Sequence, residues 1–145
     1  MIYLDTSALM KRYVPEANSD AFDQYFVGLA PATISRLTLV ELRSALARKR
    51  REGAIAPDRE LAAITEIRID LQDGVLQVQP SADQHFVDAF HLLDQLPTIP
   101  LRTLDALHLA IARSTKTGEL ATADATMARA GEALGMRIAF FGIAH

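Results

Sequence analysis

Asp5, Glu41, Asp105 and Asp124 each stand where a carboxylate carries a cost. Asp5 ends the apolar run Ile2-Tyr3-Leu4 and precedes two hydroxyl residues, Thr6 and Ser7. Asp124 closes the apolar run of "LATADAT", beside Thr122, so two run ends carry an acid next to a hydroxyl. In "SRLTLVELRSALARK" a spacing of four puts Leu37, Glu41 and Ala45 on one largely apolar helical face. Asp105 opens "LDALHLAIA", where the stretch Ala106 to Ala112 is almost wholly apolar and therefore buried. An isolated buried charge is too costly to persist, so each acid must be paired, protonated or bound to a metal.

Each acid also has a purely structural explanation. Asp5 and Asp124 can cap helices, Glu41 can pair with Arg43 or Arg48, and Asp105 suits the first turn of a helix capped by Thr103. Four such acids together point elsewhere. Clustered carboxylates repel one another, and a divalent cation reverses that penalty and holds them ionised. The chain has no cysteine, which removes thiolate sites and disulfides and favours a hard cation, Mg²⁺ or Mn²⁺, held by oxygen. Magnesium takes one or two carboxylates directly and keeps several waters, so some of the four acids would act through water.

The elements that must position these acids follow from hydrophobic periodicity. Short apolar runs at 2–4, 32–34, 75–78, 120–123 and 137–141 read as strands. Helical segments fall at about 17–29, 36–52, 58–73, 82–95, 103–116 and 125–134, with Gly53, Gly74, Pro97, Gly118 and Gly135 near their ends. Strands alternating with helices give an α/β fold with a parallel sheet and right-handed crossovers. In such a sheet the functional crevice lies at the carboxyl ends of the strands, where Asp5 and Asp124 fall. With 145 residues, half of them hydrophobic and 23% charged, residues 1–145 read as a single globular domain. No apolar run approaches the roughly 18 residues that span a bilayer, and a cytoplasmic location without membrane contact is expected.

Four stretches in this order resemble the PIN-domain family, and within it the VapC-type toxins of bacterial toxin–antitoxin pairs: "YLDTSALMKRYVPE", "TLVELRSALARK", "LRTLDALHLAIA" and "LATADATMARAGEALG". They span essentially the whole chain. The resemblance implies a three-layer sandwich around a five-stranded parallel sheet of order 3-2-1-4-5. It implies a metal-dependent ribonuclease whose acidic quartet is Asp5, Glu41, Asp105 and Asp124, with Ser7 and Thr122 at the family's hydroxyl positions. Asp5 and Asp105 are then the direct ligands of Mg²⁺ or Mn²⁺, and Glu41 and Asp124 bind its waters or a second ion. Products with a 5′-phosphate and a 3′-hydroxyl, a VapB-like antitoxin partner and a homodimer are implied as well. Ser7 orients a carboxylate or water and is not the nucleophile, since the metal activates water.

Net charge is −3, but residues 36–51 carry six basic side chains and one acid, so the remainder sums to −8. Arg43, Arg48 and Lys49 in that segment are candidates to track RNA phosphates; a solvated helix end is the competing explanation. His108, one turn past Asp105, reads first as a hydrogen-bonded core residue that could touch the site. His85, His91 and His145 share no ligand spacing. In "ELAAITEIRIDLQ", Leu61, Ile64 and Leu71 can form one core face and leave Ile69 on another side, a pattern that ordinary two-sided packing also gives; the resemblance to a toxin implies a groove for an antitoxin segment. A receiver domain would need adjacent acids after the first strand, and Ser7 occupies the second acid's place of an Asp-x-Asp phosphatase. A DNA or broad-specificity nuclease and a non-catalytic metal-binding module remain the alternatives.

Overall fold

Strand β1 (Tyr3–Leu4) is two residues long and lies at the centre of the sheet. Around it β2 (Ala32–Ser35), β3 (Leu76–Gln79), β4 (Glu119–Thr122) and β5 (Arg137–Phe140) form one parallel sheet of order β3-β2-β1-β4-β5. This computed structural model describes residues 1–29 and 31–143; His145, weighed above as a ligand, lies outside them. The described helices are α1 (Thr6–Tyr13), α2 (Ser19–Val27), α3 (Arg36–Arg51), α4 (Pro57–Gln72), α5 (Asp83–Gln95), α6 (Thr103–Ser114) and α7 (Ala125–Ala133). The strand order that the resemblance implies is thus observed, as are the six helices read from periodicity.

Alternation along the strands sorts side chains into two cores. Ile2, Leu4, Ile34 and Ala121 face α1 to α4, packing on Leu9, Phe22, Leu42 and Ala63. Tyr3 and Leu120 face α5 to α7, with Leu92, Leu109 and Met127. The sheet is therefore the middle of three layers. At the edge, α7 lies close on β5: a Cβ at Gly131 would come within 2.5 Å of Ile138 Cδ1.

Three sequence expectations differ from the structure. Helix α1 is additional to the segments read from periodicity, because it is short and starts directly at Asp5, whose carboxylate caps it. Thr103 does not cap α6; it is the helix's first residue, and Arg102 at the cap position makes no side-chain cap bond. Leu61 is 65% exposed, because α4 turns Ala63, Ile67 and Asp70 inward, with Ile64 and Leu71 only partly buried. Among the described residues no helix is long and apolar enough to cross a membrane.

The inward Asp70 is a tie between α1 and α4. Arg12 donates to both its oxygens, at 2.8 and 3.0 Å, and Tyr13 Oη donates to Oδ2 at 2.6 Å. Burial alone would raise the Asp70 carboxyl, but the bonds from Arg12 and Tyr13 and the guanidinium charge outweigh it and hold it below its usual range. A depressed folded value contributes stability above the unfolded carboxyl range, and that stability is lost as pH falls through the folded value. Asp70→Ala is expected to cost about 3 kcal/mol, roughly 10 °C in Tm. Thermal melts against pH check this: the gap to wild type should hold above about pH 4 and narrow below it, and a gap that stays constant in acid would contradict the tie.

Candidate active site

The order of the sheet reverses between β1 and β4, and a crevice opens at the carboxyl ends of these two strands. Asp5, at the end of β1, and Ala123 and Asp124, just after β4, line it. Asp5 is 3% exposed. Its Oδ1 accepts from Ser7 Oγ at 2.8 Å and from the Ala8 amide at 3.0 Å, and its Oδ2 accepts from Thr122 Oγ1 at 2.5 Å. The same two hydroxyls also accept: Ser7 Oγ from the Ala123 amide at 2.8 Å, Thr122 Oγ1 from the Asp124 amide at 3.0 Å. One carboxylate thus joins β1, α1 and the turn after β4.

Asp124 caps α7, accepting from the Thr126 and Met127 amides at 2.8 and 3.1 Å. Asp105 sits in the first turn of α6, 3.6 Å from Arg102 Nε. Glu41 Oε1 accepts from Thr6 Oγ1 at 2.8 Å and from His108 Nε2. Its partner is therefore a histidine of another helix and not Arg43 or Arg48. Burial would raise the Glu41 carboxyl, but His108 by bond and charge, then Thr6 and the Arg102 charge, hold it below its ordinary value.

All four acids line one cleft of about 690 Å³. Arg48 and Lys49 stand on its wall and Arg102 belongs to it as well. Arg43 does not: it is 3.2 Å from Glu60, on α4. Sequence reading missed two members. Arg102, 83% exposed at its side chain, precedes a helix whose start was assigned to Thr103 capping. Glu16 also lines the cleft, but Lys11 at 3.2 Å and Lys49 at 3.6 Å offset its charge. His85 bonds Ser114 at 3.1 Å and the Ala82 amide at 2.9 Å, outside this cleft. His91 borders a different hollow, with Asp88 and Arg113.

Among the described residues no three acidic or imidazole groups close on one point as a preformed ligand cage. The donor chemistry nonetheless fits a hard cation that keeps its waters, because carboxylates ring the cleft and no sulfur is present. Asp5 makes the case most sharply. Burial raises its carboxyl, and the bonds from Thr122, Ala8 and Ser7 with the His108 charge do not cancel that effect. Three bonds leave one of about four lone-pair positions of the carboxylate open. In chelator at neutral pH, Asp5→Asn should therefore melt at or above wild type. Added Mg²⁺ or Mn²⁺ should raise the wild-type Tm by several degrees, a gain of about 1–2 kcal/mol, and leave the variant unmoved. Equal metal responses in a thermal-shift titration would remove Asp5 from any metal site.

A family profile described as PIN domain matches residues 2–133. The chain is 34% identical over 139 residues to Ribonuclease VapC46 of Mycobacterium tuberculosis, spanning 94% of this chain and 95% of that protein. It is 32% identical over 144 residues to Ribonuclease VapC35 of the same species, spanning 95% of each. Two solved structures share the fold. M. tuberculosis VapC20, described as a Sarcin-Ricin loop cleaving toxin, gives a TM-score of 0.71 at 20% identity, over 90% of this chain and 95% of that one. VapBC2 from Rickettsia felis, bound to a DNA fragment from their promoter, gives 0.69 at 16% identity, over 97% and 99%. A profile covering nearly the whole chain, and relatives above 30% identity along nearly their full length, place this chain in the PIN-domain family, beside VapC proteins.

Proposed function

We propose that this protein is a metal-dependent endoribonuclease acting in the cytoplasm as the toxin of a toxin–antitoxin pair. The observation that carries the reading is the convergence of Asp5, Glu41, Asp105 and Asp124, from four chain segments, on one cleft at the switch point of the sheet. Asp5 and Asp105 would hold Mg²⁺ or Mn²⁺ directly. When bound, the ion supplies activation of water and neutralises charge on the phosphate and the leaving oxygen.

The rest is the work of the side chains. Glu41 and Asp124 orient waters at the scissile phosphate, and Ser7 and Thr122 hold the Asp5 carboxylate in place. Neither hydroxyl is a nucleophile: each proton is committed to Asp5 and each oxygen accepts a backbone amide. Arg48 and Lys49 take flanking phosphates from one wall of the cleft, and Arg102 can take another. Arg43 is the least favoured of the phosphate candidates, since Glu60 holds it outside the cleft lining. A VapB-like antitoxin and a second copy of this chain are the proposed protein partners. Large exposed apolar side chains on α5, Phe86 and Phe90, support a protein-covered face.

The reading is tested with purified, antitoxin-free protein on total cellular RNA and on DNA, with Mg²⁺, Mn²⁺ or chelator. Discrete metal-dependent RNA fragments bearing 5′-phosphates, absent with Asp5→Asn, are expected. DNA cleaved as readily would shift the assignment to a broad nuclease, and folded wild type that cleaves nothing would leave a metal-binding module. RNA affinity should fall in Arg48→Ala, with a log–log salt slope shallower by about 0.7 for the lost single-strand phosphate contact.

A further inference from the structure

Tyr3 occupies the middle of the sheet and is fully buried, yet its hydroxyl belongs to a polar chain that ends in the cleft. Tyr3 Oη lies 2.8 Å from Ser35 Oγ, 3.4 Å from Thr38 Oγ1 and 2.7 Å from His108 Nδ1. His108, 2% exposed, reaches Glu41 Oε1 with its other nitrogen. Ser35 and Thr38 are the two members of the capping box of α3, the helix that carries Glu41. Four buried groups, from β1, β2, α3 and α6, thus form one polar chain that ends through His108 on a site acid.

With the His108 ring neutral, the donors in this chain have a single consistent order. The Glu41 carboxylate can only accept, so Nε2 of His108 carries the proton. In the neutral ring Nδ1 is then the acceptor, and Tyr3 O–H donates to it. Ser35 Oγ accepts from the Thr38 amide at 3.4 Å, which leaves its own proton for Tyr3.

The consequence falls on Glu41. Thr6 and His108 both bond Oε1, and among the described residues Oε2 receives no bond. Glu41 lines the cleft with its side chain 27% exposed. A glutamate with three rotatable side-chain bonds is thereby held by one oxygen and offers the other to the cleft. We propose that Tyr3 and His108 are positioning residues for the nuclease, a buried Ser35–Tyr3–His108 relay that fixes the orientation of the Glu41 carboxylate. The proposal rests on the nuclease reading and adds to it a part played by groups that do not touch RNA.

Tyr3→Phe keeps the ring and removes only the hydroxyl. With the variant folded by circular dichroism and assayed well below its Tm, kcat on RNA should fall about tenfold, as when a group orienting an active-site ligand is removed. KM should stay within about twofold, because flanking phosphate contacts are untouched. His108→Gln, which can place an amide donor near Nε2, should retain more activity than His108→Leu. Unchanged kcat in folded Tyr3→Phe, or equal losses in the two His108 variants, would overturn the relay. Nitrogen-15 spectra of the imidazole give a readout that needs no activity: the wild-type ring should be protonated on Nε2, with Nδ1 accepting a hydrogen bond that Tyr3→Phe abolishes. A wild-type ring protonated on Nδ1 overturns the relay even if RNA is cleaved. Inactive wild type with the expected tautomer would instead sink the nuclease reading alone.

Discussion

The structure is organised around a carboxylate that the fold cannot neutralise by itself. Asp5 ends the central strand, is almost wholly buried, and is held by the Ser7 and Thr122 hydroxyls and the Ala8 amide. Three neutral donors satisfy its geometry but not its charge, and burial still raises its carboxyl. The neighbourhood bears out the same preference. Glu41 is compensated by His108 and Thr6, Glu16 by two lysines and Asp70 by Arg12, whereas Asp5 has no cation bonded to it among the described residues.

Capping and site-building turn out to be one task here and not two competing explanations. The Asp5 oxygen that accepts the Ala8 amide to start α1 also takes the Ser7 proton, and Asp124 starts α7 while lining the cleft. A helix N-terminus suits a negative charge, so the free amides hold these acids in place without cancelling their net charge. The parallel sheet supplies the rest: β1 and β4 are neighbours with their carboxyl ends together, so two caps far apart in sequence face one crevice.

Much of this was legible in the sequence because it depends on local pattern. The five strand positions followed from short apolar runs, and Asp5 and Asp124 from acids that break those runs beside a hydroxyl. What escaped depends on contacts across the fold. Periodicity shows that Leu61 is apolar but not that Asp70, one face over, is drawn inward by Arg12 and Tyr13. Tyr3 and His108 read as core residues, which they are; that their polar ends meet each other and Glu41 follows only from placing β1 against α6 and α3. Arg102 was hidden by an ordinary assumption about where α6 begins.

The central claim is that the converged acids exist to hold a divalent cation at Asp5. Anomalous diffraction from crystals soaked in Mn²⁺ tests it most directly. The account predicts a strong manganese peak in the cleft within coordinating distance of the Asp5 carboxylate, with Asp105 as the second protein ligand. A cleft without manganese density at saturating Mn²⁺, or an ion bound only at surface carboxylates elsewhere, would contradict it.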